Sequence, residues 1–284
     1  MSKITLGQLD KVIQLSNKGV ITRKLLQLFI ENPKAVLPPE TREQLVVEPS
    51  IVESTSFVEA ISDTEAVELL VKQVKNKSLN SELLVTSGNP YRSLVIQDGG
   101  KVVEEAKAKV AAWRQYANDR GYTGRVAWKV KEGFTLKTHA SLAGPCHDNL
   151  QYLQNWQLRN DEPTQNSLVF WIPRLVENST SKNIKQMEAH RAELQKRYNF
   201  PERHCTEFGS IALLFALILA HFKRTGERVP LKDYYAASDT LHANGSRLYA
   251  GYFDESGLYC GDWWDDDRDG SVGFFLLGVE TLGH

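Results

Sequence analysis

The residues best suited to chemistry or to ligand contact are concentrated between positions 257 and 275, in the stretch GLYCGDWWDDDRDGSVGFF. This stretch holds five aspartates, one arginine, two adjacent tryptophans, a tyrosine and a cysteine between glycines. Such a set could bind calcium, supply carboxylates for acid–base catalysis, or form a surface that contacts a ligand. Each use requires a different spacing, so the spacing can be tested for each.

The spacing of the aspartates matches only half of a calcium loop. Asp265, Asp267 and Asp269 stand at the first, third and fifth positions of an EF-hand, where oxygen ligands are needed. Gly270 follows at the sixth position, but the twelfth, which requires a bidentate glutamate, is Leu276. An EF-hand is therefore excluded. A calcium-stabilised structural domain that uses the three aspartates in another geometry remains an alternative, and no other cofactor is expected.

Catalysis has weaker support from the sequence. A glycosidase needs two carboxylates in different environments, and five acids within residues 262–269 give no distinguishable pair. The cysteines Cys146, Cys205 and Cys260 are too few and too scattered for a disulfide framework. Cys205 precedes an apolar segment, and a helix N-terminus there would lower its thiol pKa. A thiol enzyme that uses Cys205 or Cys260 is thus a second alternative, although buried structural cysteine is the more common case.

Ligand contact agrees best with the aromatic residues of the stretch. Neighbouring residues of a strand point to opposite faces, so of Trp263 and Trp264 we expect one in the core and one exposed beside the acids. An exposed aromatic ring among charged groups is typical of a binding surface.

Composition limits the possible partners and locations. The 34 basic and 35 acidic residues give a formal charge of −1, which argues against a nucleic acid as principal partner. The N-terminus lacks the pattern of a secretory signal, and the apolar run Ile211 to Ala220 is too short to cross a bilayer. We therefore expect a cytoplasmic protein without a membrane span, whose partner is a protein or another macromolecule.

Hydrophobic periodicity and proline content predict four regions and an α+β fold. Residues 1–32 read as a helical hairpin, and 33–56, with four prolines, as a linker. Residues 57–200 read as a mixed α/β domain with helices over 57–79, 101–121 and 181–200, extended pieces over 80–100, and strands in GRVAWKV and SLVFWIP. The region 201–284 begins with an apolar helix to about Lys223 and ends with a buried strand from Val272 to Val279.

The terminal region as a whole has a recognisable pattern. A helix opens with TEFGS and closes at TGE, and the segments SDT, NGSRLY, GLYCGDWW and VGFF follow in that order. This pattern resembles the C-terminal module of bacterial variable proteins that diversity-generating retroelements target. Those modules are similar to the formylglycine-generating-enzyme type of C-type lectin fold, so the resemblance implies a C-type-lectin-like module over 201–284. It also implies a non-enzymatic binding function, with the formylglycine-generating type of oxidase as the enzymatic alternative.

The resemblance implies a division between fixed framework positions and a possibly diversified contact surface. The expected framework residues are apolar: Leu248, Phe253, Leu258 and Val272. Tyrosine, aspartate, tryptophan and arginine side chains supply the contact area and adaptable hydrogen bonds that a paratope uses. The ligand-binding candidates are Arg247, Tyr249, Tyr252, Asp254, Tyr259, Asp262, Trp264, Asp265, Asp267, Arg268 and Asp269.

Overall fold

A computed structural model describes residues 56–82 and 99–283 and confirms the α+β class. The expected hairpin over 1–32, the linker over 33–56 except for its last residue, and most of the extended pieces over 80–100 lie outside the described residues. The ends of those pieces, residues 80–82 and 99–100, belong to helices, so the prediction is wrong there. Ser56–His284 form one compact unit. All the elements below belong to this unit.

The first sheet is antiparallel and has the order β1-β2-β4-β9. Its strands are β1 (Val58–Ile61), β2 (Ala127–Val130), β4 (Ser167–Phe170) and β9 (Gly278–Thr281). Strands β2 and β4 fall within the two apolar segments GRVAWKV and SLVFWIP, which confirms that prediction.

The predicted helix over 57–79 is wrong at its start. Val58 and Ile61 are buried at the ends of β1, which pairs with β2, and the chain turns into a helix only after Ser62. There the Ser62 hydroxyl accepts the Glu65 N–H, and the Glu65 carboxylate accepts the Ser62 N–H. This reciprocal capping box fixes the beginning of helix α1 (Asp63–Glu82).

The other predicted helices are confirmed, with capping groups at several ends. Helix α2 (Gly99–Asp119) is followed by Gly121 at φ +62°, and α4 (Ile184–Arg197) begins with a capping box of Asn183 and Gln186. Helix α5 (Ile211–Thr225) begins at Ser210 and ends at the left-handed Gly226. A short helix, α3 (Leu136–Ala143), and a 3₁₀ segment (His147–Asn155) lie between β2 and β4. Among the described helices, none is long and apolar enough to span a membrane.

The second sheet carries the candidate surface. Its order is β3-β5-β6-β7, and a short strand, β8, pairs with β5 in parallel. The strands are β3 (Leu158–Arg159), β5 (Tyr235–His242), β6 (Arg247–Asp254), β7 (Gly257–Trp263) and β8 (Val272–Gly273). The strand-like pieces predicted after the apolar helix are thus long antiparallel strands.

The predicted single strand from Val272 to Val279 is wrong. The segment forms β8 in the second sheet, continues without regular structure through residues 274–277, and enters the first sheet as β9. Its backbone groups find partners in loops instead of a ladder, because the Phe274 carbonyl accepts Val176 N–H and the Leu277 carbonyl accepts Cys205 N–H. Continuous burial made this segment look like one strand. Strand β9 pairs with β4, so the sheet joins the regions expected as a middle domain and a terminal module.

Helix α5 lies in the core that the two sheets share. Its ten buried residues pack with side chains such as Trp128 and Trp171 around the first sheet and with Leu248 and Leu258 on the second. A second apolar cluster covers the other face of the first sheet and includes residues of α1, α2 and α4. The four expected framework residues, Leu248, Phe253, Leu258 and Val272, are all buried.

A buried ionic cluster surrounds Glu280 on β9. The Glu280 carboxylate is fully buried and accepts hydrogen bonds from Lys109 Nζ at 2.9 Å and from His204 Nε2 at 3.0 Å. Arg203 forms an ion pair with its second oxygen. The Trp113 indole donates to His204 Nδ1 at 3.1 Å, which leaves the proton of a neutral imidazole on Nε2, facing Glu280. The cluster therefore ties α2 and the 201–205 segment to β9.

The pKa values in this cluster shift in ways that depend on folding. Burial by itself raises the pKa of Glu280, but hydrogen bonds from His204 and Lys109 and the charge of Lys109 lower it from 4.5 to about 2. Burial lowers the pKa of His204 below its ordinary 6.5, against the opposing hydrogen bond with Glu280. At acidic pH the unfolded chain therefore binds protons at both groups that the folded chain does not.

We predict that acid destabilises the protein through this cluster. The stability that His204 contributes is present above pH 6.5 and declines below it. The stability that Glu280 contributes is present above pH 4.5 and is lost as the pH falls toward about 2. Glu280→Gln should lower the unfolding free energy at neutral pH by roughly 3 kcal/mol and flatten its decline below pH 4.5. Urea unfolding at several pH values measures both effects.

Glu104→Gln is the matched control, because Glu104 is exposed and pairs with the exposed Lys107. That change should alter stability by less than about 1 kcal/mol. The same acid dependence in the Glu280→Gln protein as in the wild type would contradict the prediction.

Candidate ligand-binding face

Three tyrosines stand in register on one face of the second sheet. Tyr235 of β5 and Tyr259 of β7 lie on either side of Gly251 of β6, and Tyr249 pairs with Gly261 in the next row. Alternation along a strand places all five on the same face, opposite to the residues that contact α5. Together with Tyr252, described below, we call Tyr235, Tyr249 and Tyr259 the tyrosine face.

Two glycines make room for the rings of this face. A Cβ at Gly261 would lie 2.5 Å from the Tyr249 hydroxyl, and one at Gly251 would lie 2.7 Å from the Tyr235 ring. Glycine weakens a strand interior, so its presence there marks a close approach by another group. The rings of Tyr235 and Tyr249 consequently come together, with centroids 4.4 Å apart. They are only partly buried.

Tyr252 joins the face through a bulge. The pairing of β6 with β7 shifts register between Gly251 and Asp254, and Tyr252 within the bulge has a φ of +49°. This left-handed backbone is unusual for an aromatic residue and costs about 1–2 kcal/mol. The ring is 43% exposed and stacks with Tyr235 at 6.4 Å. Bulges often redirect a side chain in this way.

The outer edge of β7 is covered by the 3₁₀ segment. The Tyr152 hydroxyl accepts the Cys260 N–H and donates to the Cys260 carbonyl, each at 3.0 Å. The Tyr152 ring stacks on Tyr259 at 5.5 Å, and His147 contacts Tyr259 edge-on at 5.6 Å. Tyr259 is thus held between strand and segment, and stays half-buried.

Arg247 and Asp265 of the predicted set bind each other. Arg247 Nε and Nη2 donate to the two oxygens of Asp265 at 2.6 and 2.9 Å, and Arg247 Nη1 donates to the Ser238 carbonyl. The Arg247 side chain is only 12% exposed. A bidentate pair in this position fixes the loop after β7 to the sheet, so these two residues hold the surface in place.

The other acidic candidates are distributed over three positions. Asp262 lies on the α5 face of β7 and accepts a hydrogen bond from the Ser246 hydroxyl, and Asp254 binds Ser256 in the turn between β6 and β7. Asp269 accepts the N–H and hydroxyl of Ser271 at the end of the loop. The tyrosine face does not include any of them.

The tip of the loop after β7 presents the exposed charges. Asp266, Asp267 and Arg268 are exposed and have no ion-pair partner among the residues described here. The two tryptophans divide as the sequence predicts, because Trp263 is 6% exposed and Trp264 is 52% exposed. The Trp264 ring lies near Gly245, in the turn between β5 and β6: a Cβ placed on Gly245 would be 3.9 Å from it. The exposed Trp264 ring and the carboxylates of Asp266 and Asp267 are therefore close in sequence, and all three are at the surface.

The hydroxyls of Tyr235, Tyr249 and Tyr259 remain neutral at physiological pH. Burial raises the pKa of Tyr235, Tyr249 and Tyr259 above the ordinary value, and neighbouring tyrosines and Asp262 act in the same direction. Each phenol can therefore donate one hydrogen bond and accept others. The face offers aromatic area with polar rims rather than charge.

The metal and thiol alternatives receive no geometric support. Over residues 56–82 and 99–283, no three His, Cys, Asp or Glu side chains form a group that could hold a metal ion. The three cysteines are free and buried, and burial raises the pKa of Cys146 to about 12 and those of Cys205 and Cys260 well above the ordinary value. The lowered pKa considered for Cys205 is wrong, because α5 begins only at Ile211 and is capped by Ser210.

The sequence did not single out Tyr235 or the residues of the 3₁₀ segment. Tyr234 and Tyr235 stand in DYYAASD, whose composition is like that of the later strands. This likeness could have indicated that Tyr235 belongs to the same surface. Nothing local indicates that Tyr152 and His147 pack on Tyr259, since more than a hundred residues separate them in sequence.

No family model, curated protein or solved structure matches the chain. The geometry of the second sheet is therefore the basis for assigning a function.

We predict that none of the three thiols reacts in the folded protein. Because they are buried and their pKa values are raised, iodoacetamide at pH about 8.5 should label none of them in buffer and all of them in urea. Mass spectrometry of the alkylated peptides gives the result. Rapid labelling of Cys205 or Cys260 in the folded protein would favour the thiol-enzyme alternative.

We predict that Tyr252→Asn does not lower stability. Asparagine adopts a left-handed backbone more readily than tyrosine, so relief of strain should keep Tm unchanged or raise it by about 2–4 °C. Tyr259→Asn is the matched control, since Tyr259 lies in a regular strand and stacks on Tyr152. Scanning calorimetry should show a lower Tm for that control. Equal losses in both variants would show that Tyr252 is not strained.

Proposed function

We propose that this chain is a non-enzymatic ligand-binding protein. Its contact surface comprises the tyrosine face, together with Trp264 and the exposed acids of the loop after β7. The observation that carries the proposal is that four tyrosines lie together on one sheet, partly exposed, over two glycines that make room for their rings. Side chains that served only the core would be buried, as Leu248 and Leu258 on the opposite face are.

The chemistry of this surface suits a macromolecular partner, such as a protein. Tyrosine and tryptophan provide large, rigid contact area with little loss of conformational entropy, and their hydroxyl and indole groups add hydrogen bonds. The exposed carboxylates of Asp266 and Asp267 add orientation and favour a partner with basic groups at its rim. Tyrosine and tryptophan are among the residues that most often carry binding energy at interfaces.

The pattern of framework and contact residues supports a C-type-lectin-like module of the variable-protein kind. The expected framework residues are buried, whereas Tyr252, Trp264 and Asp267 are exposed. A fixed scaffold with a changeable surface, as the resemblance implies, would bury and expose its residues in this way. A thiol oxidase on the same scaffold remains the enzymatic alternative, but the burial of Cys205 and Cys260 does not favour it.

The proposal predicts that binding and stability respond separately to mutation. Peptides selected from a phage-displayed random library on the wild-type protein provide probes for the surface. The triple variant Tyr259→Ala, Trp264→Ala and Asp267→Ala should bind these peptides at least about 100-fold more weakly. Its unfolding free energy should fall by no more than about 2 kcal/mol, because all three side chains are at least partly exposed.

The control is the double variant Leu142→Ala and Asp119→Ala, whose exposed residues lie outside the second sheet. It should bind the selected peptides as the wild type does. Unchanged peptide binding by the triple variant would overturn the proposal, and a loss of stability well above 2 kcal/mol would show that the residues belong to the core.

A further inference from the structure

A cavity of about 630 Å³ lies outside the tyrosine face. It is an open pocket lined by residues just after α2, the segment 173–180, the end of α5 and the segment 227–234. Its volume falls within the range of about 300–1,000 Å³ that small-molecule sites occupy. Tyr234, which is 44% exposed, stands at its rim. The cavity is thus large enough for a small organic ligand.

Arginines predominate among the charged residues of the cavity. Arg120, Arg174 and Arg228 line it, against Glu177 and Glu227. Arg120 already forms an ion pair with Glu177 at 2.8 Å, whereas Arg174 and Arg228 pair with no carboxylate in the part of the chain that the structure describes. A ligand in the cavity therefore meets a positive excess.

Contacts within the protein orient both guanidinium groups, although the two residues are exposed. Arg174 Nη1 donates to the Arg120 carbonyl at 2.6 Å, and Arg228 lies over the Phe222 and Phe253 rings at 5.4 and 5.7 Å. Arginine fixed in this way retains donors for an anion and loses little entropy when it binds one.

Three polar atoms at the cavity lack a partner. The Tyr122 hydroxyl, Arg120 Nε and His221 Nδ1 are buried and find no hydrogen-bond partner among the described residues. His221 is only 5% exposed, and burial together with the charge of Arg224 lowers its pKa to about 4, so its ring is neutral at physiological pH. A buried donor without a partner costs free energy, and an acceptor-rich ligand would relieve that cost.

Part of the remaining wall is apolar, and the polar residues 178–180 form the rest. Pro173, Leu175, Val176 and Pro230 line the cavity beside the polar atoms. A cavity with an apolar wall, fixed cations and unpaired donors fits an amphipathic anion better than an inorganic ion.

We propose that this cavity binds a small organic anion, in which a phosphate or carboxylate faces Arg174 and Arg228 and an apolar group lies against the proline and aliphatic wall. The site is separate from the tyrosine face, so either proposal can fail without the other.

Calorimetric titration of the full chain with phenyl phosphate, benzoate and inorganic phosphate at low salt tests the proposal. We expect saturable binding of one equivalent of phenyl phosphate or benzoate, tighter than that of inorganic phosphate, and weakened by added salt. The preferred probe distinguishes a phosphate ligand from a carboxylate ligand. Arg174→Gln and Arg228→Gln should each weaken binding of that probe by at least about tenfold.

Arg268→Gln is the matched control, because it removes the same charge from an exposed loop outside the cavity. It should bind the probes as the wild type does, and thermal unfolding checks that all three variants fold. Failure of every probe to saturate below about 10 mM would overturn the proposal. Binding by folded Arg174→Gln and Arg228→Gln proteins at wild-type affinity would also overturn it.

Discussion

A buried carboxylate must be neutralised by its surroundings, and Glu280 imposes this requirement on the segments that pack around β9. The groups that meet it come from α2 and from the segment that precedes α5, so these parts can assemble only with β9 in place. The chain segment that ends in β9 begins as β8, which lies beside Tyr235 in the other sheet. The Glu280 cluster therefore fixes one end of a connection whose other end supports the tyrosine face.

The tyrosine face shows how a fold can retain aromatic residues at its surface. On the α5 side of the second sheet, Leu248 and Leu258 are fully buried, and burial of such residues stabilises the sheet. On the other side, Gly251 and Gly261 give up packing and backbone stiffness so that rings can lie over the strands. On the α5 side of the sheet the apolar side chains of β6 and β7 are therefore buried, whereas on the other side Tyr235, Tyr249 and Tyr259 keep part of their surface exposed.

Local rules accounted for those parts of the fold that depend on neighbouring residues. The α2 helix ends near Gly121, and Trp263 and Trp264 divide between core and surface, because capping and strand alternation act within a few residues. The path of residues 272–279 was not predictable, since a run of apolar residues does not reveal where a chain leaves one sheet for another. Pairing between Arg247 and Asp265, or stacking of Tyr152 on Tyr259, likewise depends on tertiary contacts.

The hydroxyl of Tyr152 has a consequence for how a partner can approach. It occupies both the N–H and the carbonyl of Cys260, the groups through which an incoming strand would pair with the outer edge of β7. An extended segment of another molecule therefore cannot continue the sheet at this point without displacing a stacked ring. Growth of the sheet from chain to chain is hindered there by the Tyr152 side chain and, two residues earlier, by the Pro145 carbonyl, which accepts the Leu258 N–H.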